Sequence, residues 1–255
     1  ICDRNWGLGS DGILSLVPSK KANFGLRIFN PDGSEAEKSG NGLRIFARYL
    51  HATGQTKKKR FTVETKGGLV SIDLQIDRHG DAAAATVEMG IATFKPDALP
   101  CSLDVPELIQ QPIEAGGRSL IFTGVSVGNP HCVVFKPTGE SWSREELLAL
   151  GPALEHHKLF PKRTNVQLVV PTGRNAIFIL IWERGAGETQ ASGSSSCAAA
   201  SAAVRLGLAK SPVTVKMPGG VLNIEVAPDF SLTMKGPVAE VARGTLSPSF
   251  IRGLK

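Results

Sequence analysis

Two distant segments of this chain repeat one short pattern, and this repeat limits the possible folds more than any other feature. The segment EAEKSGNGLRIFARYL spans 35–50, and the segment GETQASGSSSCAAASAAV spans 187–204. In each, a Glu stands four residues before a Ser-Gly pair, which is Ser39-Gly40 in the first and Ser192-Gly193 in the second. The repeat distance of about 150 residues is far longer than that of a solenoid, so it predicts two similar domains.

The elements around the two segments follow the same order. In each half, strands precede the segment, the segment becomes a helix, and a hairpin with a Gly-Gly turn follows. The sequence predicts strands at 13–17, 24–30, 85–90, 164–170 and 175–185, helices at 40–51, 143–157 and about 193–207, and paired strands at 61–77, 119–135, 213–228 and 230–246. Prolines and glycines at 96–117 predict an irregular connection.

Composition excludes several classes of protein. Of the 255 residues, 42% are hydrophobic and 20% are charged, as in ordinary globular proteins. No apolar run approaches the roughly 20 residues of a membrane helix, and the first residues do not resemble a signal peptide, so we expect no membrane contact and a cytoplasmic location. The basic run KKKR at 57–60 has one aromatic neighbour, so nucleic-acid binding is not predicted despite a net charge of +6.

The cysteines do not suggest a metal site. Cys2, Cys101, Cys132 and Cys197 are scattered without CxxC spacing. Neither a zinc site nor a disulfide framework is therefore predicted, and we expect free thiols in a reducing compartment.

The repeated pattern places small residues at the start of two helices. Backbone N–H groups there have no partner within the helix, and the helix dipole adds partial positive charge. Two such ends that faced one cleft would hold a carboxylate between domains. Ser39 and Ser192 could alternatively be simple N-caps of ordinary helices. The duplication, and glycines that allow close backbone approach, favour the anion site.

Polar side chains at predicted strand ends form a second set of candidates, namely Asn30, Asn129, His131, Asn165, Glu183 and Arg184. A single Asn or His in a turn is usually a turn former. Amide groups together with a Glu-Arg pair fit an amino-acid site better, because amides can bind both ammonium and carboxylate groups and Arg can bind a carboxylate with two hydrogen bonds.

Four blocks of the sequence resemble, in order and spacing, signature blocks of the diaminopimelate epimerase family: FNPDGSEAEKSGNGLRIFA, GVSVGNPHCVVF, FPKRTNVQLV and WERGAGETQASGSSSCAAA. The resemblance begins at CDRNWGLGSDGIL and runs nearly to the end of the chain. It implies an α/β (α+β) fold with two pseudo-symmetric domains, each a mixed β-sheet wrapped around a central helix. We assign 1–88 plus 237–255 to the first domain and 89–236 to the second.

The resemblance also implies an activity. Members are isomerases that interconvert LL- and meso-diaminopimelate, a precursor of lysine and peptidoglycan, by α-proton transfer without a metal or an organic cofactor. The expected partners are a small amino-acid substrate and, as one option, a second copy of the chain in a homodimer. In the family, one cysteine thiolate removes the α-proton, and a cysteine thiol on the other face returns a proton.

This chain departs from the family at both bases, because the two positions are Ser39 and Ser192. Cys197 lies five residues after Ser192, and none of the four cysteines matches a catalytic position. The pKa of an alcohol is several units above that of a thiol. Forming the deprotonated base from serine therefore costs on the order of 5 kcal/mol or more beyond the cost for cysteine. Serine needs an adjacent base, for which His131 and Glu183 are the candidates.

Three interpretations fit these residues. The first is an isomerase acting on diaminopimelate or a related amino acid, with Ser39 and Ser192 on opposite faces of the α-carbon. The second is a binding or regulatory protein that keeps the cleft without the chemistry, and the third is a variant with both cysteines changed to trap a ligand. The neighbouring Lys38 and the serines at 194–196 favour natural drift over the third.

If the chain is an active isomerase, we predict further contacts in the cleft. Main-chain N–H groups of Gly40, Asn41, Gly193 and Ser194 are expected to bind the α-carboxylate. The side chains expected to bind the ends of the amino acid are those of Asn30, Asn129, Asn165, Glu183 and Arg184. The family also begins with a strand and a Gly-rich loop, so we expect a further segment upstream of Ile1.

Overall fold

The computed structural model describes residues 1–253, and the last two residues of the predicted first domain, 254–255, lie outside this range. The elements are β1 Ile13–Val17, β2 Phe24–Phe29, β3 Glu35–Ala36, α1 Gly40–Ala52, β4 Arg60–Thr65, β5 Gly68–Ile76, β6 Ala82–Ile91, β7 Gln111–Ala115, β8 Arg118–Ser126, β9 Pro130–Phe135, α2 Arg144–Glu155, β10 Asn165–Gly173, β11 Ala176–Glu183, β12 Gly187–Thr189, α3 Gly193–Arg205, β13 Val213–Met217, β14 Gly220–Val226, β15 Ser231–Pro237 and α4 Pro248–Gly253. A short 3-10 turn lies at Pro96–Ala98.

The 15 strands found in residues 1–253 belong to one sheet, whose order is symmetric about the β6–β15 pair. One side reads β1-β2-β4-β5-β6, and the other reads β15-β14-β13-β11-β10, continuing to β9-β8-β7. The pairings repeat as well: β2 with β4 and β11 with β13 are parallel, whereas β4 with β5 and β13 with β14 are antiparallel. The two halves meet where β6 pairs antiparallel with β15.

Each half packs its sheet against one repeated helix. In α1, the residues Leu43, Phe46, Ala47 and Leu50 are buried, as the helical spacing predicts. In α3, nearly every residue from Gly193 to Ala203 is buried, which the small Ala and Ser side chains permit on all sides. One core contains residues of both helices and both halves of the sheet, so the halves share their largest hydrophobic cluster.

A second core lies on the opposite face of the second half, under α2. This helix begins with the predicted N-cap Ser143, whose hydroxyl accepts from the Glu146 N–H while the Glu146 carboxylate accepts from the Ser143 N–H. Such a capping box satisfies donors that have no partner within the helix.

Two predictions about local structure are wrong. The connection at 96–117 contains β7, in which Ile113 and Ala115 are buried and Glu114 is exposed; β7 is an edge strand, so its Pro112 is tolerated. The stretch 230–246 is not a hairpin, because β15 is already paired on both edges, with β14 and β6, and no strand follows it within the described residues.

The division into domains stays a prediction. The proposed boundary between 88 and 89 falls inside β6, the strand that pairs with the other half of the molecule.

Candidate functional site

The N-termini of α1 and α3 meet at the junction of the two halves. A Cβ atom placed on Gly193 would lie 3.5 Å from the Cα of Gly40, and Cβ atoms on either glycine would contact the buried Met234. The two Ser-Gly pairs therefore stand side by side, and the glycines allow this because any side chain would separate the helices.

The residues before each serine are held in the same way. Glu35 accepts from Arg27, and Glu188 accepts from Arg144, so each Glu ties its short strand to a neighbouring element. The Gly67 N–H donates to the Glu37 carbonyl at 2.8 Å, and the Gly219 N–H donates to the Gln190 carbonyl at 2.7 Å. The Gly-Gly turn of each hairpin thus supports the residue two positions before the serine, which explains the repeated spacing.

A cleft of about 790 Å³ opens at this junction. The predicted site residues that line it are Ser39, Gly40, Asn41, Asn129, Glu183, Arg184, Ser192, Gly193 and Ser194. The fold thus brings most of the candidates from both halves to one surface.

Both serines act as N-caps: their backbone is extended, and the side-chain oxygen accepts a hydrogen bond from an N–H of the first turn. Ser39 Oγ accepts from the Gly42 N–H at 3.1 Å, and Ser192 Oγ accepts from the Ser195 N–H at 3.4 Å. Ser192 Oγ also contacts Ser194 Oγ at 3.4 Å. In the part of the chain that is described, no carboxylate or imidazole is hydrogen-bonded to either hydroxyl, so neither has the adjacent base that an active serine requires.

His131 and Asn165 lie beneath the cleft surface. His131 is fully buried, and its Nε2 contacts Asn129 Oδ1 at 3.0 Å. Burial lowers the pKa of His131 to about 3, while Gln167 opposes and Arg184 adds to this shift, so its ring is neutral at pH 7. Asn165 donates to the Pro130 carbonyl and accepts from the Arg184 N–H, so it joins two segments that line the cleft.

Asn30 does not line the cleft. Its amide donates to Ser34 Oγ and its N–H donates to the Ser34 carbonyl, within an exposed turn. The assignment of Asn30 to a ligand, made from its place at a predicted strand end, stays a prediction.

The predicted site omits three charged residues that line the cleft, namely Glu37, Lys38 and Glu88. Lys38 Nζ donates to the Glu88 main-chain oxygen at 3.1 Å. Lys38 stands directly before a pivot serine, so its position was a usable signal. Glu88 reaches the cleft only because the sheet places it there, and no nearby motif identifies it as a site residue.

The cysteines and acidic groups do not form a metal site in residues 1–253, where no cluster of three or more His, Cys, Asp or Glu side chains has a suitable arrangement. Burial raises the pKa of the Cys132 and Cys197 thiols, and that of Cys197 reaches about 12. Within the same residues, no helix is long and apolar enough to span a membrane.

The sequence matches a known family over most of its length. The family model for diaminopimelate epimerase matches residues 1–95 and 123–241. The chain is 48% identical to diaminopimelate epimerase 2 of Nostoc sp., with 97% of this chain and 85% of the relative covered. It is 41% identical to diaminopimelate epimerase of Moorella thermoacetica, with 96% and 86% covered.

Solved structures share the fold at much lower identity. A predicted epimerase from Pseudomonas aeruginosa gives a TM-score of 0.66 at 21% identity, covering 94% of this chain and 85% of the other. A hydroxyproline epimerase from Agrobacterium vitis, solved with bound trans-4-hydroxy-L-proline, gives 0.65 at 15% identity, covering 89% and 71%. The predicted α/β fold with two pseudo-symmetric halves is confirmed.

Proposed function

Because the chain belongs to the diaminopimelate epimerase family and is an isomerase of the racemase and epimerase type, we propose that it interconverts LL- and meso-diaminopimelate. The observation that carries the proposal is that two repeated helix N-termini, each capped by Ser, meet in one cleft. Inversion at carbon requires groups on both faces, and a duplicated element with approximate two-fold symmetry can supply one group to each face.

The α-carboxylate would bind between the two helix ends. Main-chain N–H groups of Gly40, Asn41, Gly193 and Ser194 belong to the first turns of α1 and α3, where donors lack partners within the helix. The carboxylate would also interact favourably with both helix dipoles. The same helix ends would then stabilise the negative charge that spreads onto the carboxylate oxygens when the α-proton leaves.

Proton transfer is the demanding step in this chain. We assign the two faces of the α-carbon to Ser39 and Ser192, and we assign to Glu183 the role of proton acceptor, since its carboxylate lines the same cleft. We give His131 a positioning role, because it is buried, neutral and bonded to Asn129. Arg184 and Asn129 would bind the distal ends of the substrate, with Asn165 holding the Arg184 backbone.

One observation favours a second function, the binding of an amino acid without turnover. Both serine oxygens are used as helix caps, and no base is hydrogen-bonded to them among residues 1–253. An alcohol in this state is several pKa units poorer as a proton acceptor than a cysteine thiolate.

Proton NMR in D2O distinguishes the two functions. The protein is incubated with LL- and with meso-diaminopimelate, and loss of the α-proton signal is followed beside binding by calorimetry. We expect deuterium to enter at the α-carbon, and the double variant Ser39→Cys with Ser192→Cys to exchange faster by roughly 100-fold or more, because each pKa unit gained by the base contributes up to about tenfold.

Each other outcome has a definite meaning. Binding without exchange in the protein, but with exchange in the cysteine variant, would show an intact cleft that has lost its chemistry. Absence of both binding and exchange in both proteins would contradict the diaminopimelate proposal. We extend the proposal to a role in lysine and peptidoglycan precursor synthesis in the cytoplasm and to the option of a homodimer.

A further inference from the structure

Two cationic side chains lie close to the paired helix N-termini. Lys38 precedes the N-cap Ser39 and lines the cleft. Arg44, in the second turn of α1, is only 8% exposed. Both belong to the first half of the molecule. The equivalent positions in the second half hold uncharged residues: Ala191 corresponds to Lys38, and Cys197 corresponds to Arg44.

The hydrogen-bond acceptors of Arg44 within residues 1–253 are all uncharged. Its guanidinium donates to Asn41 Oδ1 at 2.9 Å and, more weakly, to the carbonyls of Gly40 and Pro237 at 3.4 Å, and it contacts the sulfur of Met234. Gly40 and Asn41 themselves line the cleft. Arg44 therefore does not line the cleft itself but is hydrogen-bonded to two residues that do.

Lys38 is in a similar position. Its ammonium donates to a main-chain carbonyl, that of Glu88, and burial lowers the pKa of Lys38. The charges of Cys197 and Glu88 oppose this shift. Yet the Cys197 thiol has a pKa of about 12 and is neutral at pH 7, and Glu88 is solvent exposed.

Acidic side chains do not pair with these two cations in the described part of the chain. The first turns of α1 and α3 contain no Asp or Glu, although helix N-termini favour them. None of the ion pairs found among residues 1–253 includes Lys38 or Arg44. The cleft is also lined by Glu37, Glu88 and Glu183, but none of these carboxylates forms an ion pair with Lys38 or Arg44. Both cations, together with the two helix N-termini, are therefore available to a bound anion.

We propose that Lys38 and Arg44 supply the counter-charges for the substrate's α-carboxylate and, above all, for the second negative charge it gains during reaction. This inference rests on the proposed function. Removal of the α-proton by a base leaves its electron pair on the α-carbon, and that pair delocalises onto the carboxylate oxygens. The carboxylate becomes a planar dianion, and fixed positive charge in a site of low dielectric stabilises it more than the ground state.

The proposed role of Lys38 is consistent with the presence of weakly basic serines at both base positions. Serine leaves a larger barrier to proton removal than cysteine does, so stabilising the deprotonated substrate matters more here. Arg44 is a positioning residue as well, since it holds the Asn41 side chain at the helix end.

The test uses anion binding, which does not depend on turnover. Calorimetry at low ionic strength compares oxalate, a planar dianion, with acetate, a monoanion, on the protein and on Lys38→Met, Lys38→Arg and Arg44→Lys. Lys20→Met is the matched control, because Lys20 is exposed and the variant has the same net charge as Lys38→Met. Circular dichroism verifies that each variant is folded.

We expect oxalate to bind more tightly than acetate, and Lys38→Met to weaken oxalate binding by roughly 10- to 100-fold, the scale of one hydrogen bond to a charged group. Lys38→Arg and Arg44→Lys, which keep the charge, retain most of the affinity. Equal oxalate affinity in Lys38→Met and Lys20→Met would overturn the proposal.

Exchange kinetics separate this inference from the proposed function. In the Ser39→Cys and Ser192→Cys background, Lys38→Met should lower kcat for α-proton exchange more than it raises KM. Undiminished kcat in that variant would refute the inference and leave the proposed function intact. Oxalate binding that depends on Lys38, without exchange in any variant, would leave Lys38 with a role in anion binding only and would refute both the proposed function and the role of Lys38 in the reaction.

Discussion

At the scale of single residues, burial decides what each candidate can do. His131 was a candidate base in the sequence, but its ring lies beneath the cleft and supports Asn129. The motif GNPH does not show whether the ring points into the cleft or into the protein interior, so it cannot distinguish a base from a buried support. The orientation of the ring is set by the sheet. In it β9 pairs in parallel with β10, whose buried Asn165 and Gln167 lie beside His131.

The buried ring predicts a pH dependence of stability. The pKa of His131 is about 3 in the folded protein and near 6.5 when unfolded, so the unfolded chain binds the extra proton between those values. Its contribution is complete above about pH 6.5 and is lost, at up to about 1.4 kcal/mol per pH unit, as the pH falls toward 3.

Urea unfolding at pH 7 and pH 5 tests this contribution. We expect His131→Gln to lose less stability between the two values than the unmodified protein does. His79→Gln, at an exposed position, serves as control. The same pH dependence in His131→Gln and in the unmodified protein would refute the assignment.

At the scale of elements, helices and hairpins followed from local signals. The Ser N-caps, the apolar spacing of α1 and the Gly-Gly turns all act within a few residues. The failures were β7 and the end of β15, where neighbouring strands in the sheet decide the outcome. Strand pairing is a long-range property, and a short stretch of sequence does not contain it.

The contacts of the two Gly-Gly turns predict that a Gly→Ala substitution reduces stability by different amounts in each. A Cβ on Gly219 would lie 2.7 Å from the Gln190 carbonyl oxygen, whereas a Cβ on Gly67 would lie 3.0 Å from that of Glu37. We expect Gly219→Ala to destabilise the protein by about 1–3 kcal/mol, and Gly67→Ala by less.

Chemical unfolding of the two variants beside Gly244→Ala measures this difference. A Cβ on Gly244 would meet no atom within 4 Å, so the Gly244→Ala variant should be close to neutral. Because Gln190 lies two residues before Ser192, Gly219→Ala should also weaken ligand binding in the cleft. Similar stability for all three variants would refute the proposed support of the serine segments by the turns.

At the scale of the whole molecule, the two halves are joined by β6, β15 and a shared core. Met234, on β15, is fully buried and lies against both Gly40 and Gly193. We expect Met234→Ala to destabilise the protein by about 2–5 kcal/mol and Met234→Leu by less than about 1.5 kcal/mol.

Both halves should unfold together in that variant. Trp142 and Trp182 lie in the second half, and their fluorescence is followed in a Trp6→Phe background, because Trp6 is in the first half. It is compared with far-ultraviolet circular dichroism of the entire chain. We expect the two transitions to coincide, since one core contains residues of both halves. Separate transitions would mean that the halves are independent domains.

The amino-acid sequence was sufficient to establish the repeat, the helices with their serine caps, the Gly-Gly hairpins and the family. These properties depend on residues close together in the chain, or on motifs long enough to match relatives. The three-dimensional arrangement was needed to show that Ser39 and Ser192 line one cleft, that His131 lies below it, and that Lys38 and Arg44 form no ion pair among residues 1–253. Distance, burial and charge balance arise when segments about 150 residues apart pack together, and no local pattern contains that information.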